Sequence, residues 1–264
     1  IDEIVFMRIT YRNANNKLYW KNRWNNIDAD KAMTNENKYP LKFSNLVVKD
    51  KNQKILEAGC GAGRILRRYH DLKYDIIGIE FIKEAVDKLK KVDQSLNVDV
   101  GNILNLKFDN NHFDIVLAFG LYHNFEPQKL DQAVSETYRV MKKGAKICAS
   151  FRADNLQELI VDFIRKDKNS KNEYFHKLNL KKREFINLFE KHNFKVEDVH
   201  SVQNMPFLYK FKFFRAKDQK NFNENVARIE GYKLSPIGNL IQNFLINYFP
   251  DQFCNIYVLI AQKN

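Results

Sequence analysis

Cysteine is scarce in this chain of 264 residues: only Cys60, Cys148 and Cys254 occur, with no close pairing and no metal-type spacing. That excludes a disulfide framework and a zinc cluster and predicts a reducing, cytoplasmic setting, in which Cys60 reads as a small buried thiol. No uninterrupted apolar run approaches the roughly 20 residues that a membrane-spanning helix needs, and the first residues lack a secretory pattern. Carboxylate and histidine groupings at ligand spacing are also missing, so no metal is expected. What is present is enough apolar material for a sizeable core, 44% of residues, in a length that fits one α/β domain with an elaboration. The net charge is +12.

The chemistry concentrates in Ile55-Leu56-Glu57-Ala58-Gly59-Cys60-Gly61-Ala62-Gly63-Arg64, an apolar strand running into a glycine-rich turn. Glycines at alternate positions let the backbone approach a ligand closely. The next apolar run, Tyr74 to Glu80, closes on an acid that can accept hydrogen bonds from both hydroxyls of a ribose. The turn departs from the G-x-G-x-x-G dinucleotide fingerprint, and Glu57 would repel a pyrophosphate. A carboxylate beside the turn suits a ligand carrying an ammonium and a sulfonium.

These residues resemble the class I S-adenosylmethionine-dependent methyltransferases, over roughly Lys54 to Val202 and again near residue 255. Gly101-Asn102-Ile103-Leu104 is similar to the adenine-side loop, His112 to Phe125 to the fourth strand and active-site loop, and Glu136 to Gly144 to the helix and turn before strand five. Two departures stand out: Asn102 replaces an aspartate, its amide oxygen still able to accept from the adenine amino group, and the turn at Lys143-Gly144 lacks a proline. The resemblance implies S-adenosylmethionine as cofactor, held by Tyr19, Trp20, Glu57, Ala58, Gly59, Gly61, Gly63, Arg64, Glu80, Phe81, Asn102, Ile103, Phe119 and Gly120. Asp114 reads as an anchor for the start of its strand.

Apolar runs near 54–58, 75–80, 97–100, 113–119, 145–151, 194–202 and 254–262 alternate with helical periodicities, which predicts a doubly wound, Rossmann-like, mostly parallel seven-stranded sheet. By resemblance the last strand inserts antiparallel between strands five and six. The expected divisions are a helical N-terminal cap (1–50), a cofactor-binding core (51–202), an insertion between strands six and seven (203–252) and the final strand (253–264). The cap carries Leu18-Tyr19-Trp20-Lys21-Asn22-Arg23-Trp24. Arg165 to Arg183 holds eight basic and two acidic residues, half of the net charge, and reads as a solvated face. In the insertion Phe207, Tyr209, Phe211 and Phe213 alternate, whereas Leu234, Ile237, Leu240, Ile241, Phe244, Leu245, Tyr248 and Phe249 form a helical stripe, read first as core and otherwise as a lid, a homodimer interface or a lipid-facing surface.

Methyl transfer from a sulfonium is an in-line displacement that needs an aligned nucleophile and little water. His123, just after the fourth strand, is the candidate base for a hydroxyl acceptor, with orientation of a substrate oxygen as the competing role; its ordinary pKa suits proton transfer near neutrality. Tyr122 is a second catalytic candidate, and Tyr11 and Arg152 are candidate acceptor contacts. The expected acceptor is a small polar metabolite: a sugar, nucleotide-sugar or phosphorylated intermediate of surface-polysaccharide biosynthesis. A lipid or quinone precursor, an RNA, and a non-catalytic cofactor-binding role are the alternatives. Nucleic acid is not favoured, since the loop Phe119-Gly120-Leu121-Tyr122 is not the Asn-Pro-Pro-Tyr type and no RNA-binding module is recognised.

Overall fold

The computed structural model describes residues 7–165, 174–221 and 230–264. Its main sheet has seven strands: β2 (Ile55–Ala58), β3 (Ile76–Glu80), β4 (Val98–Val100), β5 (Phe113–Ala118), β6 (Met141–Arg152), β8 (Phe194–Val202) and β9 (Ile256–Lys263), in the order β4-β3-β2-β5-β6-β9-β8. All pairings are parallel except those of β9, which runs antiparallel between β6 and β8, as the resemblance implied. Every residue of β2 is buried, as a central parallel strand covered on both faces requires. The strand order reverses at β2, whose neighbours are β3 on one side and β5 on the other. That switch point, at the carboxyl ends of the strands, is where doubly wound sheets open a crevice for ligands.

Helices α3 (Arg64–Asp71), α4 (Lys83–Val92), α5 (Pro127–Val140) and α7 (Lys182–Glu190) connect the strands and bury their apolar stripes, for example Leu130, Ala133, Val134, Thr137 and Val140 of α5. The start of β5 is fixed by Asp114. Its carboxylate accepts from the Lys54 backbone N–H at 2.9 Å and from Lys142 Nζ at 2.8 and 2.9 Å.

Two regions differ from the sequence expectation. The N-terminal cap contains helices α1 (Asn16–Asn25) and α2 (Leu41–Val47), but also a strand, β1 (Arg8–Arg12), which pairs antiparallel with β7 (Tyr174–Asn179). Thus the described part of the basic stretch is partly a strand and not only a solvated face; Phe175, Leu178 and Leu180 are buried there among lysines. Residues 166–173 of that stretch lie outside the described residues.

The second difference is the insertion. Its alternating aromatics form two 3-10 turns, Phe207–Lys210 and Lys212–Phe214, and Phe207, Leu208 and Tyr209 join Leu234, Phe253 and Val161 (of α6, Leu156–Arg165) in a satellite core. The helical stripe lies on α8 (Pro236–Tyr248), followed by the single turn α9 (Pro250–Phe253). Only part of it is core: Leu234 is buried and Leu245 packs against the cluster, whereas Ile237, Leu240, Ile241, Phe244, Tyr248 and Phe249 are exposed.

Candidate active site

The turn between β2 and α3 carries three glycines with positive φ: Gly59 (71°), Gly61 (55°) and Gly63 (84°). At Gly61 a Cβ would sit 2.8 Å from the Trp24 ring, so the position is closed to side chains by sterics as well as by backbone conformation. Gly59 and Cys60 donate their N–H groups to the Ile79 carbonyl at 2.8 and 3.0 Å, which locks the turn to the end of β3. Glu80 reinforces the lock: its carboxylate accepts from Gly61 N–H and Ile82 N–H, each at 3.1 Å.

Beside the turn, Glu57 is only 5% exposed and its Oε2 has no hydrogen-bond partner. Burial pushes its carboxyl up to about 8. Glu80, 8% exposed, is raised for the same reason, opposed by its backbone donors. Two buried acids at the mouth of a glycine turn are costly unless a ligand pairs with them.

Helix α1 closes the opening. Its C-terminal carbonyls are capped by Lys88 of α4, whose ammonium donates to Trp24, Asn25 and Ile27 oxygens at 2.7, 3.0 and 2.8 Å. The segment after it is tied to the turn by Asp30 N–H to the Ala62 carbonyl at 2.8 Å and Met33 N–H to the Arg64 carbonyl at 2.9 Å. Trp20 and Trp24 stack at 5.8 Å on the wall thus formed.

The result is a cavity of about 730 Å³. It brings together most of the sequence candidates: Trp20, Glu57, Gly59, Gly61, Arg64, Glu80, Phe81, Asn102, Ile103, Phe119, Gly120, His123 and Arg152 all line it. Asn102 Oδ1 accepts from Leu104 N–H at 3.0 Å, so in this structure the amide shapes its own loop.

Five candidates lie elsewhere. Ala58 and Gly63 are in the strand end and the helix cap behind the turn, supporting its shape without lining the space. Tyr19 packs edge-on to Trp20 and beneath the Arg12 guanidinium at 3.7 Å, away from the lining. Tyr11 is 51% exposed on β1 and is not an acceptor contact here. Tyr122 is fully buried, its hydroxyl bonded to Thr137 Oγ1 at 2.8 Å and its pKa raised by burial, which makes it a core residue rather than a catalytic one.

His123 does face the site, 9% exposed on a 3-10 turn, Tyr122–Asn124, after β5. Its environment is not the ordinary one assumed from sequence: burial, then Arg152, Lys177, His176 and Arg23, hold its pKa well below the usual value. A shift in that direction favours the neutral ring. The sequence reading missed Tyr39 and Ser150, which also line the cavity. Ser150 Oγ accepts from Gly120 N–H and bonds the Tyr39 hydroxyl, both at 2.9 Å, fixing the backbone of the loop that bears His123. Ser150 stands two residues before Arg152 on the same strand, and that spacing was the available signal.

Residues 56–149 match the family described as methyltransferase domain. This stretch of the chain is similar to a methyltransferase domain. A crystal structure of an S-adenosylmethionine-dependent methyltransferase from Methanosarcina mazei aligns with a TM-score of 0.56 at 18% identity, covering 86% of this chain and 98% of that one. The cyclase SpnF aligns equally well, with a TM-score of 0.56 at 16% identity over 97% of this chain and 99% of its own. Among curated proteins, 24-methylenesterol C-methyltransferase 3 of Arabidopsis thaliana is 37% identical over 101 residues, 35% of this chain and 27% of the relative. The matched part thus spans about a quarter of that relative.

S-adenosylmethionine is the cofactor that the match to a methyltransferase domain implies, and the residues present fit it. The unpartnered Glu57 oxygen offers an acceptor for an ammonium, and Glu80 closes β3 where a ribose would lie. The cavity is large enough, within the range of about 300–1,000 Å³ usual for small-molecule sites. Among the described residues no cluster could hold a metal ion, and no helix is long and apolar enough to cross a membrane.

Proposed function

We propose that this chain is an S-adenosylmethionine-dependent methyltransferase acting on an oxygen of a small polar metabolite. The acceptor class is a sugar, nucleotide-sugar or phosphorylated intermediate of surface-polysaccharide assembly. The observation that carries the reading is one continuous cavity with buried acids at the glycine turn and polar, basic groups on the far side of the Phe119-Gly120 loop.

In this reading Glu57 pairs with the cofactor's ammonium, Glu80 with its ribose hydroxyls, and Asn102 and Ile103 flank its base. When bound, S-adenosylmethionine supplies a methyl group activated by sulfonium. Trp20, Trp24 and Tyr39 exclude water, which strengthens every electrostatic contact inside. His123, neutral and with Nδ1 unpartnered, orients the acceptor oxygen and takes its proton once negative charge nearby offsets Arg152.

Calorimetric titration with S-adenosylmethionine and S-adenosylhomocysteine tests the first half, with micromolar binding expected; no binding by either would discard it. Methyl-labelled cofactor offered with panels of sugar phosphates, nucleotide-sugars and quinols tests the second, the sugar derivatives being expected to take up label.

A second reading, methylation of a lipid or quinone precursor, is favoured by the exposed apolar residues of α8 and by the sterol-methylating relative. Label in the quinols alone would select it. Of the described residues of the insertion only Asn204 lines the cavity, so the insertion acts in this reading as a docking face rather than a lid.

A further inference from the structure

The far end of the cavity collects positive charge that the carboxylate field of Glu158, itself paired elsewhere, offsets only at a distance. Arg152, at the end of β6, lines it. Among the described residues its guanidinium makes no hydrogen bond or ion pair, and its Nε is shielded from solvent without a partner. His123 Nδ1 is shielded and unpartnered in the same way. Arg12, on β1, has Nε and Nη1 in that condition too, and its remaining nitrogen donates to Asn16 Oδ1, itself on the cavity wall.

The neighbouring carboxylates are already engaged. Glu158 binds Lys210 at 2.5 Å, and Asp154 binds Arg8 at 2.5 Å. A shielded guanidinium nitrogen without a partner is unfavourable, and half-buried Arg152 presents a planar fork suited to two oxygens of one anion. A pocket that keeps such a fork open faces a ligand that brings the missing charge.

We propose that the methyl acceptor carries an oxyanion, a phosphate or a carboxylate, held in the far end of the cavity by Arg152 and His123. This rests on the methyltransferase reading for the word acceptor, but the anion site stands on its own geometry. The two basic strands β1 and β7, outside the methyltransferase domain, contribute Arg12, His176 and Lys177 to the field around it without carrying the contact. Bound negative charge would also offset the Arg152 repulsion that adds to burial in disfavouring a protonated His123, so one anchor both positions the substrate and helps the imidazole take a proton.

The test is calorimetry on the full chain at fixed ionic strength set with sodium chloride, titrating inorganic phosphate and, separately, acetate, each with and without S-adenosylhomocysteine. We expect saturable binding of at least one anion at one site per chain, weakened about tenfold or more in R152Q and less in R152K. Tighter phosphate points to a phosphate monoester, tighter acetate to a carboxylate. Unchanged S-adenosylhomocysteine affinity in R152Q shows that the variant is folded; should it fail that check, His123→Gln carries the same comparison. No saturable binding of either anion, or binding indifferent to both substitutions, overturns the proposal. Anion binding without S-adenosylhomocysteine binding in the unaltered protein would instead remove the methyltransferase reading and leave the anion site.

Discussion

Two sets of pKa-shifted groups in the cavity have opposite signs. At the glycine turn, Glu57 and Glu80 are buried acids raised in pKa; at the far end, buried His123 and half-buried Arg152 are bases lowered in pKa, desolvation being the largest cause in all four. The same penalty therefore acts on groups of opposite charge, and each end holds buried polar atoms the protein does not pair. In the proposed reading, the difference fits a ligand set with a cationic part and an anionic part, about a loop, Phe119-Gly120, that Ser150 holds in place.

The contrast can be broken one end at a time. Glu80→Ala removes the ribose acceptor and the clamp on Gly61 and Ile82 together. It is expected to cost about 100-fold or more in S-adenosylhomocysteine affinity by calorimetry, and unchanged affinity would reassign that acid. At the other end, His123→Ala should leave cofactor affinity intact while slowing turnover by about 100-fold if the imidazole takes the proton. A loss of only a few-fold in single-turnover assays would restrict it to positioning.

Glu57 gives a subtler separation. Its folded carboxyl, at about 8 against an ordinary 4.5, keeps a proton that the unfolded chain releases. This group's contribution to stability is therefore full below about pH 4.5 and is lost as pH rises through 8. Thermal midpoints of the cofactor-free protein should carry that downward component, absent in Glu57→Gln. Cofactor affinity should rise over the same range, with protons released on binding, and a pH-independent affinity would place the ammonium elsewhere. The smallest effect is expected at Tyr122→Phe: about 1 kcal/mol of stability from the lost Thr137 bond and no change in kcat.

Much of this was legible beforehand, because parallel strands announce themselves as apolar runs and their ends fix where ligands bind. The seven strands fell where the runs lay, and Glu57, Glu80 and His123 were found from their places at strand ends. Neighbours on a helical turn were harder to sort. Trp20 lines the cavity and Tyr19 does not, His123 does and Tyr122 does not, since adjacent residues of a helix point about 100° apart and only tertiary packing says which faces inward. Tyr39 and Ser150 meet across more than a hundred residues, and β1 finds β7 across a similar distance; neither pairing leaves a local trace.

The position of β9 has a consequence for the order in which these ends form. β2, β3 and β5 assemble through crossovers local in sequence, whereas β9 must slot between β6 and β8, with Gln262 opposite Lys146 more than a hundred residues earlier. Closing such a long loop is slow relative to local pairing. Arg152, opposite Ile256 in that register, is therefore seated late. Pulsed hydrogen exchange should find β2 to β5 protected before β9 and the Arg152 end of β6, so that in a folding chain the acidic turn forms before the basic end.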